Sequence, residues 1–443
     1  MLSNDLAISP IDGRYYQDVS ALSNYFSEAA LIHYRLKVEI EYLIRLGDKI
    51  PSIDKILSLF YREELREIPF NILDNSCVIR NIEFKTNHDI KAIEYFLVNK
   101  LKAIGLDDLE TFVHFGLTSQ DICSLGISCI MHDFNRDVFR IEYRTIVKAL
   151  YDMARDYEKI PMLARTHGQP ASPTYLGLQL RVFAARLESK MDFFDKIKFT
   201  AKFGGATGNM NAHYVAYPDI DWHDFADNFV HNFGIVRSWP TTQVDHNDVL
   251  IQYFDAIKHI NNILIGFCQD MWSYISMGYF KLNIESNEIG SSTMPHKVNP
   301  INFENAEGNL GMANAMLEHF VEKFSRSRLQ RDLSDSTVFR NIGVPLAHTM
   351  LAFKSILKGI NKLDVNKSKI AEDLDDNWSV ITEGIQTILR REGHSDAYEL
   401  LKDFTRNNPV TFLTITQFIC DLNVDKSVKN ELLKITPFNY VGV

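Results

Sequence analysis

The segment Gly290-Ser291-Ser292-Thr293-Met294-Pro295-His296-Lys297-Val298-Asn299-Pro300 concentrates small residues, hydroxyls, a lysine and an asparagine between two apolar stretches. Gly290 and the small side chains permit close backbone approach and leave N–H groups free for an anion, and Lys297 can counter a carboxylate. Arg165-Thr166-His167-Gly168-Gln169-Pro170-Ala171 forms a second cluster. It is expected between helices, with Pro173 near the next helix start. An imidazole with polar and small neighbours at such a boundary suits a proton donor, although a lone histidine is more often structural. In Thr86-Asn87-His88-Asp89 the aspartate could orient the histidine, and helix-capping explains the tetrapeptide equally well. Thr118-Ser119-Gln120-Asp121 reads as a helix N-cap. Arg328-Leu329-Gln330-Arg331-Asp332 and Ser336-Thr337-Val338-Phe339-Arg340 place arginines among hydroxyls. This suits bidentate phosphate binding, or an ordinary ion-paired surface.

Other chemistries leave no trace. The sequence has no HExxH, no paired-cysteine set, no calcium-spaced acidic loop, no GxSxG and no GxxxxGK[ST]. Gly204-Gly205-Ala206-Thr207-Gly208 is expected to follow a long helix rather than a strand, which argues against a dinucleotide site. No metal and no cofactor are expected. The five cysteines, Cys77, Cys123, Cys129, Cys268 and Cys420, are expected to be buried free thiols.

These motifs must be positioned by long helices. No proline lies between Pro69 and Pro161 or between Pro345 and Pro409. Apolar residues spaced three and four apart predict helices over 121–159, 173–202, 248–280, 302–323 and 345–363. In the 248–280 tract Leu250, Phe254, Ile257, Ile260, Leu264, Phe267, Met271, Trp272 and Ile275 carry the stripe. Strands are expected only between Ala206 and Val244. The fold class is therefore all-α. Three parts are expected: 1–110 with short helices and loops, 111–363 with the long-helix bundle, and 364–443 as a helical cap.

Hydrophobic residues make up 46% and charged residues 23%, ordinary for a globular protein. A net charge of −10 gives no basic footprint for nucleic acid or an anionic membrane. No apolar run is long enough to span a bilayer. The N-terminus, Met1-Leu2-Ser3-Asn4-Asp5, lacks a basic region followed by an apolar one, so a cytoplasmic location is expected.

Together the motifs resemble the fumarase/aspartase superfamily, whose signature the 290–300 segment is similar to. Ser9-Pro10-Ile11-Asp12-Gly13-Arg14-Tyr15, residues 86–89, 165–171 and 330–337 resemble the adenylosuccinate lyases of the bacterial type. The resemblance runs from about residue 9 to Tyr440. At His296 fumarases and aspartases typically carry glycine, and argininosuccinate lyases glutamine. Phe115-Gly116-Leu117 differs in detail from relatives, and the chain ends at Val443, earlier than the family suggests.

The resemblance implies three mostly helical domains, with the central one joining a multi-subunit helical core in a homotetramer. It implies cofactor-free β-elimination of fumarate from adenylosuccinate, giving AMP, and from the succinylated aminoimidazole carboxamide ribotide of purine biosynthesis. By analogy Ser291 is the base, His167 the acid, His88 its helper and Lys297 the carboxylate partner. Arg14, Tyr15, Arg331, Ser336, Thr337, Val338, Phe339 and Arg340 hold the nucleotide. Asn87, His88, Asp89, Thr118, Ser119, Gln243, Ser292, Lys297 and Asn305 line the rest. The alternatives are another fumarate-releasing lyase or a non-catalytic helical scaffold, and intact Ser291, His167 and Lys297 argue against the latter. A straight 121–159 helix would span about 58 Å, far more than a nucleotide pocket. Thr118-Ser119 and His167 are therefore expected to meet only across subunits, unless the helix breaks near Gly126.

Overall fold

The computed structural model describes residues 4–283, 294, 296–407 and 409–442. Helices carry the fold. The strands among the described residues are short and pair only two at a time. The chain divides into two compact units. One comprises 1–144, 190–262 and 308–354, and the other 145–189, 263–307 and 355–443. The divisions fall inside the helices Arg140–Asp156, Leu176–Lys196, Asp248–Ser276, Ile301–Phe324 and Gly343–Asn361.

The first unit contains Glu28–Gly47, a helix of 20 residues, where the sequence suggested only short helices. Its N-terminus is capped by Ser27, whose hydroxyl accepts from the Ala30 N–H at 3.1 Å. Ile72–Thr86, Asp89–Ala103 and Ser119–Phe134 pack with it. Gly126 lies inside the last of these and does not break it. A π-helical turn, Asn135–Phe139, then leads directly into Arg140–Asp156. Phe134 and Phe139 are both fully buried, five residues apart, and the wide turn keeps them on one face. Phe139 packs with Tyr143, Phe194, Tyr253 and Phe353 at ring separations of 4.8–6.3 Å. Each such ring, when buried, contributes about 1.5–3 kcal/mol. Thr200–Lys202 pairs in parallel with Val236–Ser238. The Gly204-Gly205 turn thus follows a strand, contrary to expectation.

The second unit holds a feature absent from the sequence expectations. Pro161–Thr166 and Gln169–Tyr175 form an antiparallel hairpin. Residues 165–171 are therefore paired strand ends with His167-Gly168 as the hairpin tip, not an interhelical loop. Pro173 lies within the second strand, and the following helix starts only at Leu176. Phe280–Leu282 pairs with Leu363–Val365. The C-terminal helices close around Leu374, Ile381, Ile385, Leu389, Ile415, Ile419 and Leu432.

Two further expectations fail. Cys77 and Cys420 are exposed, although all five cysteines are free. Trp272 is also exposed, off the buried stripe of Phe254, Ile257, Ile260, Leu264, Phe267 and Met271, and its Nε1–H donates to Glu304 at 3.1 Å.

Candidate active site

The Thr118–Asp121 segment folds as a capping box, as its sequence suggested. The Asp121 carboxylate accepts the Thr118 N–H at 2.8 Å. It also accepts the Gly204 N–H at 2.8 Å and the Gly205 N–H at 3.1 Å. Lys202 Nζ donates to it at 2.7 Å and to the Gly205 carbonyl at 2.5 Å. Both side chains are fully buried. Burial pushes the Lys202 pKa down, and the Asp121 charge offsets that only in part. A buried ion pair survives when its remaining donors and acceptors are satisfied, and here backbone N–H groups do this. The glycine-turn amides are thereby spent on Asp121, which removes them as a phosphate cradle.

At residues 86–89 two helix ends meet. Asn87 adopts the left-handed conformation at φ 53°, and its N–H donates to the Glu83 carbonyl at 2.7 Å. His88 caps the next helix, with Nδ1 accepting from the Lys91 N–H at 3.1 Å. An accepting Nδ1 leaves the neutral ring its proton on Nε2. Asp89 Oδ1 lies 3.9 Å from the same Nδ1, so the capping bond sets the ring.

Asp89 instead serves arginines. Its Oδ2 accepts from Arg35 Nη1 at 2.9 Å and from Arg340 Nη2 at 3.1 Å. Burial raises the Asp89 pKa, but Arg35, the Ile90 N–H and Arg340 together outweigh it and hold the carboxyl below its usual range. Arg340 Nη1 also donates to both oxygens of Glu28, at 2.8 and 2.7 Å. Arg340 follows the one-turn helix Ser336–Phe339, and Phe339 stacks on Phe324 with ring centroids 4.2 Å apart.

These pieces line one cavity of about 350 Å³ within the first unit. Asn87, His88, Asp89, Ser119, Arg331, Ser336, Phe339 and Arg340 all reach its wall. Three segments widely separated in sequence thus converge, and the volume falls in the small-ligand range. The sequence reading missed Arg35, Cys123 and Asp245 on the same wall. Arg35 had a legible signal, since it lies among the buried residues Leu31, Ile32, Leu36 and Val38 on an apolar helix.

Other candidates lie elsewhere. Thr118 caps its helix, and Thr337 and Val338 belong to the one-turn helix, without reaching the wall. Gln243 is off it too, its Nε2 donating to the Ala206 carbonyl at 2.9 Å. The Arg14 guanidinium stands 5.9 Å from the Tyr15 ring centroid, and neither lines the cavity. His167, Lys297 and Asn305 belong to the second unit. His167 is exposed at the hairpin tip. His167 and Gly168 have φ of 54° and 75°, a turn with two left-handed residues that matches the right-handed twist of the strands. Lys297 is exposed, and its N–H donates to the Met294 carbonyl at 3.0 Å. Ser291 and Ser292 lie outside the described residues.

Among the described residues no group of three His, Cys, Asp or Glu side chains is placed to hold a metal, and no helix is long and apolar enough to cross a membrane. A family model described as Lyase matches residues 13–316. A second, described as Adenylosuccinate lyase C-terminal, matches residues 327–441. The adenylosuccinate lyase of Dictyostelium discoideum is 48% identical over 454 residues, covering 100% of this chain and 97% of the relative. That of Escherichia coli (strain K12) is 41% identical over 455 residues, covering 100% and 97%. Among solved structures, the 3-carboxy-cis,cis-muconate lactonizing enzyme from Pseudomonas putida aligns with a TM-score of 0.75 at 17% identity, covering 96% of this chain and 94% of that one. The fumarate lyase from Mesorhizobium sp. BNC1 aligns at 0.72 and 14% identity, covering 96% and 95%. These two likenesses concern the fold.

Proposed function

The chain belongs to the adenylosuccinate lyase family of the fumarase/aspartase superfamily, and from that premise we propose how its own residues eliminate fumarate from adenylosuccinate and from the succinylated carboxamide ribotide. The observation that carries the reading is the convergence of Asn87–Asp89, Ser119 and Arg331–Arg340 on one cavity. In this reading Arg331 and Arg340 take the phosphate, with Arg14, Tyr15 and Ser336 beside them. Asn87, Asp89, Thr118, Ser119, Gln243 and Asn305 form the remaining contacts.

The reaction removes a proton from the carbon beside a carboxylate and breaks the carbon–nitrogen bond at the neighbouring carbon. Charge builds on the carboxylate as the proton leaves, so cationic and N–H donors must face it. Lys297 and Ser292 supply them. Ser291 takes the proton. Its hydroxyl is a weak acid, so its alkoxide needs a site closed to water. His167 returns a proton to the leaving nitrogen, since an imidazole exchanges protons near neutrality. His88, with its proton on Nε2, assists at the substrate's anionic groups. No step calls for a metal or a cofactor.

The working enzyme in this reading is a cytoplasmic homotetramer whose sites are shared between subunits. In its support, the helix Ser119–Phe134 runs through Gly126 without a break. The division into 1–110, 111–363 and 364–443 remains part of the proposal. The test is to incubate the purified protein with adenylosuccinate and follow fumarate and AMP together. Equal release of both is expected, and neither product appearing would overturn the reading. Mixing inactive Ser291→Ala and His167→Ala proteins after dissociation should restore part of the activity. Hybrids that stay inactive despite subunit exchange would remove shared sites.

A further inference from the structure

Arg340 has five N–H donors in principle. Three hydrogen bonds already engage it, two to Glu28 and one to Asp89. Asp89 lies on the cavity wall and Glu28 does not. Glu28 is the first residue of the helix Glu28–Gly47 and draws the Nη1 end of the guanidinium toward itself. The Glu28 and Arg340 side chains are 32% and 39% exposed, so water screens the pair and it is easily exchanged.

We infer that Glu28 is a displaceable counterion that sets the affinity of Arg340 for the substrate's phosphate. This rests on the reading that Arg340 holds that phosphate. Arg35, Arg331 and Arg340 share one small cavity and repel one another. Asp89 answers Arg35 and Arg340, and Glu28 adds a second carboxylate to Arg340 from outside the wall. A phosphate dianion offers oxygens that bind guanidinium more strongly than an exposed carboxylate does. It takes the Nη1 donors from Glu28, and the Glu28 charge opposes it throughout. When the nucleotide product leaves, Glu28 recovers the guanidinium. Glu28 thus weakens phosphate binding and favours release, acting through Arg340 as a positioning residue.

Replacing Glu28 by glutamine keeps its shape and one acceptor oxygen while removing the charge. The variant also loses a favourable charge at a helix N-terminus, which lowers stability slightly but cannot tighten a ligand. Calorimetric titration of the full-length protein with AMP, inorganic phosphate and adenosine separates the outcomes. Glu28→Gln should bind AMP and inorganic phosphate about three- to fivefold more tightly, the size of a screened ion pair. Adenosine, which lacks the phosphate, should bind as before. Arg340→Met should weaken AMP, and adding Glu28→Gln to it should change nothing more. Unchanged or weaker AMP binding by Glu28→Gln alone, with Arg340→Met still weak, overturns the inference about Glu28. An Arg340→Met protein that binds AMP normally overturns the underlying reading of Arg340 instead.

Discussion

Around Asn87–Asp89 and Arg331–Arg340, charged side chains hold one another. Arg35 and Arg340 share Asp89, and Arg340 also holds Glu28. At Thr166–Gln169 the arrangement is different. The His167 imidazole has no hydrogen-bond or ion-pair partner among the described residues, and the backbone alone sets its place. That backbone is braced lower in the hairpin. Arg165 Nη2 donates to Asp373 at 2.7 Å, the Tyr279 hydroxyl donates to the same carboxylate, and the Ser172 hydroxyl donates to Glu383. The binding groups are fixed by mutual electrostatics, whereas the proposed acid is fixed by turn geometry and keeps its ring free for a substrate. Changes in the two regions should therefore separate: stability and nucleotide affinity for one, turnover for the other.

The sharpest way to break this contrast is His167→Ala. Turnover should fall about 10²–10⁴-fold, as for loss of a general acid, with the urea midpoint unchanged because the ring supports nothing. A large drop in that midpoint would show that His167 is structural after all. Next in size, Lys202→Met leaves Asp121 buried without its cation. Urea denaturation should show a loss of about 3–5 kcal/mol. A neutral outcome would mean that the backbone N–H groups alone carry Asp121. Asp89→Asn weakens two ion pairs and strands the buried Arg35. It should lower stability by about 1–3 kcal/mol and raise KM more than it lowers kcat. An effect confined to kcat would move Asp89 into the chemistry.

The long helices were legible because proline-free tracts with three-four spacing leave the chain little else to do. The capping box at Thr118–Asp121 was legible because both halves lie within four residues. The 161–175 hairpin was not. Pro161, Pro170 and Pro173 interrupt any alternation, and a register shift between Leu163 and Ala164 breaks it further. Nor could the sequence pair Asp121 with Lys202 or Glu28 with Arg340, since partners 81 and 312 positions apart leave no local pattern. The convergence of the 86–89, 118–121 and 328–340 motifs was expected through family resemblance, and residue chemistry alone left capping and ion-paired surfaces open for each.

Two smaller effects sharpen the comparison. Gly168 sits at φ 75° with nothing within 4 Å of an added Cβ, so Gly168→Ala meets backbone strain without a clash. It should cost about 1–2 kcal/mol and disturb turnover more than AMP affinity. Affinity falling first would tie the hairpin to binding. In the first unit, burial lowers the His114 pKa, but the Glu39 carboxylate at 2.5 Å from its Nδ1 raises it more, and the net shift is upward. Burial also raises the Glu39 carboxyl pKa, so the His114 contribution is fully present below about pH 6.5 while Glu39 stays ionised, and it is lost as pH rises through the elevated His114 value. The stability difference between wild type and His114→Asn should shrink over that window, measured by urea unfolding. A difference that stays constant would place the pair's contribution in packing.

The π-helical turn at Asn135–Phe139 also bears on how this chain can change length. A helix needs four residues to bring one core side chain above the next, and here the chain spends five between Phe134 and Phe139. One residue is surplus, and the turn absorbs it as a bulge while the face leading on to Tyr143 keeps its phase. Removing Arg136, whose side chain is 52% exposed, would heal the bulge into regular helix and return the same rings to the core. By this geometry the π-turn can take up a one-residue change in length in the middle of a long helix, where an insertion or deletion in the regular helix on either side would rotate every later core residue toward water.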